Sequence, residues 1–223
     1  MAQLGVNIPM IRPDVKSDNR KLKWKFLRMK HRLKSRSDQS IKRIPHMTDP
    51  RKLASMQILN LLFLTTWMNR PCMFGFVVLK MVKLTLDDGL SAMASVAFAG
   101  FGSLLCYMLQ IKEGVRYGKL CLDLLEQFQS RAYMSRCYAF VYGMIFAYTR
   151  PWEEILEPLL TGQRVGLQSG DTQFANFDGY LHALFLLDGG KVHIDVVMER
   201  LQELTSMEDF HNNFKELGLH CLV

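Results

Sequence analysis

Proline and glycine are scarce in this chain, at 7 and 15 of 223 residues, while leucine is plentiful and methionine numbers 14. That balance favours helices over sheets, because unbranched side chains lose little rotamer freedom in a helix. Paired cysteines are lacking as well. Cys72, Cys106, Cys121, Cys137 and Cys221 are odd in number and widely spaced, with no C-x-x-C pair. This excludes a zinc knuckle or a dithiol redox motif and leaves reduced, buried thiols in a cytoplasmic protein as the expectation. Charge is not lacking: 22% of residues are charged and 49% apolar, the balance of a globular chain rather than a disordered one.

Neither a leader nor a clean membrane span is expected. Residues 2–11 contain Gly5 and Pro9 and lack a basic start or a clear apolar core. Residues 90–111 are uncharged over 22 positions, long enough for a bilayer, but Ser91, Ser95, Gly100, Gly102, Ser103 and Gln110 dilute them. The segment reads instead as a buried helix, with Phe98, Phe101, Leu105 and Met108 as its apolar stripe.

Motifs that carry chemistry are absent in turn. There is no G-x-x-x-x-G-K-[ST] loop to cradle phosphates, and no G-x-S-x-G elbow. Gly162-Gln163-Arg164-Val165-Gly166 holds two glycines, but within a helical pattern and without the strand context of a dinucleotide site. The six histidines fall in no ligand spacing. Asp178 and His182, four apart on one helix, read as a partly exposed polar pair. Glu153, Glu154 and Glu157 sit where a helix start favours negative charge. Catalytic, cofactor-binding and metal-ligating residues are therefore all expected to be none, and the chain is expected not to be an enzyme.

What is present is a beat of helix signals. Asp49-Pro50 is an N-cap followed by proline at the first helical position, and the apolar pattern runs through Leu53, Met56, Leu59 and Phe63. A second helix runs from Pro71 to Asp88, where Gly89 suits the residue just past a helix end. Ser91 is expected to cap a third helix, a fourth runs from Lys112 to Phe128, and a fifth from Arg131 to Tyr148. Arg150-Pro151 opens a sixth, Asp171 caps a seventh, and an eighth starts at Lys191. The odd-numbered starts near 50, 91, 131 and 171 predict an all-α fold: an α-solenoid of about four antiparallel, tetratricopeptide-like hairpins with a period of about 40 residues. Gly114, Gly118 and Cys121 share one face of the fourth helix and allow close packing. The expected organisation is a basic linker over 1–48, the helical repeat domain over 49–206, and a short helix or tail over 207–223.

The charge is lopsided. Residues 1–52 hold 15 Lys or Arg against 4 Asp or Glu, and residues 53–223 hold 13 against 17. Residues 20–36 form a basic amphipathic helix in which Leu22, Phe26, Met29 and Leu33 recur at helical spacing, with Leu27 expected beside them. Lys21, Lys23, Lys25, Arg28, Lys30, Arg32 and Lys34 are its candidate contacts for a partner or an anionic surface. The favoured reading docks the apolar stripe on the first hairpin and leaves the charges solvated. The alternatives are a small membrane-associated helical protein, or a nucleic-acid-binding module acting through residues 20–36.

Several stretches resemble a known family. They are His46-Met47-Thr48-Asp49-Pro50-Arg51-Lys52-Leu53-Ala54-Ser55-Met56, Val78-Leu79-Lys80-Met81-Val82-Lys83-Leu84-Thr85-Leu86, Gly114-Val115-Arg116-Tyr117-Gly118-Lys119-Leu120, Pro151-Trp152-Glu153-Glu154-Ile155-Leu156-Glu157-Pro158-Leu159-Leu160 and Gly166-Leu167-Gln168-Ser169-Gly170-Asp171. Together they are similar to the tetratricopeptide-like helical region of large multidomain signalling proteins. Those proteins combine an AAA/STAND-type ATPase, a serine/threonine-kinase-like domain, a GAF domain and a sensor histidine kinase. The resemblance covers residues 4–203 and implies a regulatory, protein-interaction role between flanking signalling domains, with no active-site residues carried over. No Walker loop precedes these stretches and no histidine-kinase signature follows them, so a fragment or a reduced relative is expected.

Overall fold

A computed structural model describes residues 15–190 and 193–205. The tail expected over 207–223, the residues before 15 and the expected helix start at Lys191 lie outside them. The described chain is built of helices: α1 (Val15–Lys34), α2 (Asp38–Lys42), α3 (Pro50–Asn69), α4 (Pro71–Asp88), α5 (Ala94–Tyr107), α6 (Ile111–Gln127), α7 (Met134–Tyr138), α8 (Glu153–Ser169), α9 (Thr172–Gly189) and α10 (Ile194–Thr205). Among the described residues the only extended pairing is one isolated bridge between His46 and Leu90. The fold is all-α. The chain divides into two compact units, residues 1–101 and 102–223, with the division inside α5.

In the first unit α3 and α4 pack as consecutive helices. Asp49 accepts a hydrogen bond from the Arg51 amide at 2.8 Å, with Pro50 at the first position, as the start signal requires. Arg70 alone separates the two helices, and Pro71 begins α4. Gly89 ends α4 at φ 117°, a conformation that a side chain resists. A methyl group there would also lie 2.8 Å from the Pro45 carbonyl oxygen and the Met47 amide, the two groups that bridge to Leu90. The core gathers Met56, Leu59, Phe63, Val77, Val78, Met81, Phe98 and Phe101, all essentially without solvent exposure. Gly100 lets α5 approach so closely that a Cβ would meet Phe63 at 2.7 Å and Val78 at 2.8 Å.

The second unit centres on α9. Ten consecutive residues, Phe174 to Ala183, are buried, so the helix is covered on every side by α7, α8, α10 and the segment after α7. Such a helix has no polar face for the pattern to display. Gly102 and Gly114 bring the end of α5 against α6, so that a Cβ on Gly114 would collide with the Cys106 sulfur. Gly118 on the same face of α6 meets Ile145 and Phe146.

Four expectations need correction. The stretch from 131 to 148 is not one α-helix but a 3₁₀ turn, the short α7, a π-helical run over Ala139–Ile145 and a further 3₁₀ turn. Residues 139–141 are all buried, because the run packs against α6, α8 and α9 together. A helix facing one neighbour would split these residues between core and water. Ser91 does not cap α5, which begins at Ala94; the Ser91 hydroxyl is buried without a hydrogen-bond partner. Asp171 precedes α9 but makes no side-chain cap, because its carboxylate is taken by Arg136. Met108, expected in the buried stripe, lies past the end of α5 and is 40% exposed, whereas Phe98, Phe101 and Leu105 are buried. Among the described residues no helix is long and apolar enough to cross a membrane.

Candidate functional site

The basic helix foreseen near residues 20–36 is α1, and it packs on α4. Phe26, Met29 and Leu33 are buried, and Leu22 reaches Gly75 on α4, where a Cβ would stand only 2.8 Å from it. The Phe26 and Phe101 rings lie 5.4 Å apart, which ties α1 to the core of the first unit. Two of the seven candidate cations serve this docking. Arg32 pairs with Asp87, which Lys83 also engages, and the Lys25 ammonium stands 5.1 Å from the Phe76 ring centroid. Burial pulls the Asp87 carboxyl upward, but Arg32 and Lys83 outweigh it and hold it below its ordinary value. Lys30 is half-buried. Lys21, Lys23, Arg28 and Lys34 are exposed with Arg20. The lysines and arginines are therefore not equivalent: two help hold the helix down, and most of the others line its outer side.

The second unit contains a buried polar cluster on and around α9. Asp178 and His182 were expected to be partly exposed; instead they are 0% and 8% exposed. α9 lies in the interior, so residues four apart on it have no route to water. Ser135 on α7 donates to Asp178 Oδ2 at 2.7 Å. Asp178 Oδ1, Asn176 Oδ1 and His182 Nδ1 are buried without partners. Burial drives the Asp178 carboxyl well above its ordinary range, against the lowering effect of the Ser135 hydroxyl, with Asp171 and Cys137 raising it further. Burial lowers His182, as does nearby Arg200, while Glu157 opposes them. Arg200 on α10 donates to Gln163 Oε1 at 2.6 Å, and Gln163 is itself buried. On the flank, Arg136 binds Asp171 at 2.9 Å and stacks over Phe174 at 4.9 Å.

This cluster has the residue types of a reacting centre but not the space for a substrate. A methyl group on Gly162 would lie 2.5 Å from Asp178 Oδ2, one on Gly166 2.7 Å from Ser135 Oγ, and one on Gly179 2.6 Å from Gln163 Nε2. Helix backbone thus fills the volume around the polar atoms. Chemically the arrangement is two separate hydrogen bonds, Ser135 to Asp178 between α7 and α9 and Arg200 to Gln163 between α10 and α8, set among close glycine contacts. The visible signal for it was the glycine pair Gly162 and Gly166, four apart in mid-helix, a spacing that invites close approach by a neighbour. Ser135, Asn176, Gln163 and Arg200 gave no signal of their own.

A shallow open groove of about 440 Å³ lies beside α6 and α7, lined by Leu122, Leu125, Arg131, Met134, Tyr138 and Tyr142 among others. Its Tyr138 and Tyr142 rings meet edge to face at 5.1 Å, and burial raises the Tyr138 hydroxyl to about 12. Glu153 and Glu154 occupy the first turn of α8, the favourable end of the helix dipole. Among the described residues no group of three or more His, Cys, Asp or Glu is placed to hold a metal ion. No family model, curated protein or solved structure matches the chain.

Proposed function

We propose that the chain is a non-catalytic helical-repeat module that regulates a signal-transduction ATPase or sensor kinase by binding protein surfaces, in the cytoplasm and without a cofactor. The observation that carries this reading is the succession of helical segments opening at Pro50, Ala94, Arg131 (a 3₁₀ turn leading into the short α7) and Thr172, in steps of 44, 37 and 41 residues. Helical hairpins repeated at such steps build extended surfaces that many side chains share, which suits contact with a partner or with flanking domains rather than chemistry on a small molecule. The resemblance of residues 4–203 to the helical region of AAA/STAND-type signalling proteins supports the same role. The polar cluster around Asp178 is consistent with it, because its groups are spent on packing four helices together.

Two measurements test the proposal. The DNA adjoining the coding region is expected to carry a nucleotide-phosphate loop upstream or a histidine-kinase motif downstream. The purified chain is expected to bind and turn over no ATP, with or without divalent metal. Saturable nucleotide binding with turnover by the chain alone would overturn the non-catalytic reading. Flanking genes without either signalling domain would remove the regulatory one.

A further inference from the structure

α1 buries one apolar stripe within the fold and carries two large apolar side chains among cations on its opposite side. Phe26, Met29 and Leu33 are buried with Leu22 turned to α4. Trp24 and Leu27, three apart on the opposite side, are 64% and 54% exposed. At 3.6 residues per turn, Trp24, Leu27, Arg20 and His31 share the outward pole of the helix. Lys23 and Lys34 flank that pole on one side and Lys21 and Arg28 on the other. All eight are exposed. The Arg28 guanidinium lies 5.8 Å from the Trp24 ring, so cation and aromatic ring form one composite surface.

We propose that this outer face of α1 is a docking surface for an anionic lipid bilayer. The helix would lie along the headgroups with Trp24 and Leu27 inserted at the acyl boundary and its lysines and arginines among the phosphates. The residue types distinguish this occupant from others. A bilayer interface takes up both parts of the surface, an indole and a leucine at the pole and cations along its flanks. A nucleic-acid backbone matches the cations but gives the Trp24–Leu27 pair no apolar medium. A second copy meeting it through the same face would set like charges against each other. Docking of this kind needs no transmembrane helix, and it leaves the buried stripe on α4 undisturbed. α1 is attached at Phe26, Phe101 and Asp87, so it presents the face ready-formed instead of folding on arrival.

The test is co-sedimentation of the full chain with vesicles of phosphatidylcholine containing phosphatidylserine, beside vesicles of phosphatidylcholine alone. Wild type is expected to sediment with the anionic vesicles only, less as salt rises, and with a blue shift of tryptophan emission that the Trp24→Phe variant largely loses. Replacing Arg20, Lys23 and Lys34 together by Gln is expected to weaken binding on the order of a hundredfold at low salt, at about one kcal/mol per cation. Replacing Trp24 and Leu27 by Ser is expected to weaken it about tenfold or more with an unchanged thermal melt, because both side chains are exposed. Wild-type binding that survives Trp24→Ser with Leu27→Ser would overturn the proposal. It would leave charge alone at work, pointing to an acidic protein or nucleic acid. Equal binding to uncharged vesicles, or none to anionic ones, would overturn it too.

Discussion

Asp178 holds an ionisable group where water does not reach, and the consequence is a measurable pH dependence. Its folded carboxyl is raised far above the 3.8 of an ordinary aspartate. The native state therefore keeps the proton while the unfolded chain releases it, and stability falls as pH climbs from about 4 toward the raised value. Asp178→Asn keeps the shape and an acceptor for Ser135 but removes the titration. The variant is expected to match wild type near pH 4 and to gain on it above. The difference should grow by up to about 1.4 kcal/mol per pH unit until the folded carboxyl ionises. Chemical denaturation across pH checks this, and a constant offset would show that Asp178 is not held neutral. His182 works in the opposite sense. Its folded value is depressed, so its contribution is present above the unfolded value of 6.5 and is lost as pH falls below it. The Asp178→Asn comparison cancels that contribution, because both proteins carry His182.

Among the elements, α5 shows how one helix can imitate a membrane span and be something else. Its 14 residues carry four small polar or glycine breaks in an apolar run, at Ser95, Gly100, Gly102 and Ser103. The glycines are where neighbouring side chains press in: Phe63 and Val78 on Gly100, Ile145 on Gly102. Small residues that looked like dilution of hydrophobicity are contact points between close-packed helices. Phe101, fully buried and stacked near Phe26, is the central anchor of the first unit. Phe101→Ala is expected to cost about 3–5 kcal/mol, seen as a lowered denaturation midpoint. An unchanged midpoint would mean that this ring does not sit in a packed core. The same substitution is expected to loosen α1, which shares the ring, and to raise proteolytic cleavage within residues 20–36.

For the molecule as a whole, the repeat reading makes a claim about cooperativity. In a quasi-one-dimensional stack each hairpin depends mainly on its neighbours, so a local defect remains largely local. Trp67 lies on α3 in the first unit, and Trp152 stands just before α8 in the second. Gly162→Ala forces a Cβ against Asp178 at 2.5 Å and is expected to destabilise by about 1–3 kcal/mol, net of the better helix propensity of alanine. Single-tryptophan variants should then show the Trp152-reported transition shifting more than the Trp67-reported one. Equal shifts in both would fit one indivisible cooperative fold and argue against a repeat array.

What the sequence determined by itself was local: which segments are helical, where most of them begin, and which face of α1 is apolar. Asp49-Pro50 and Pro71 act through their own backbone and immediate neighbours, so their meaning does not depend on the rest of the fold; Gly89 ends its helix locally, but the crowding by Pro45 and Met47 belongs to the fold. The apolar period of Leu22, Phe26, Met29 and Leu33 likewise fixes a face without specifying what covers it. Tertiary structure decided the rest. Whether Asp178 meets water depends on α9 being enclosed by four neighbours, and nothing within five residues of it encodes that. Whether Asp171 caps a helix or binds Arg136 is a competition between a local amide and a cation 35 positions away, and the distant charge wins. Residues 139–145 widen into a π-helix because three elements demand contact with one run of side chains. Finally, the helical period of α1 sets both its stripe and the opposite pole, but only the fold decides which of them is covered. Trp24 and Leu27 became a second surface only once α4 had claimed the first.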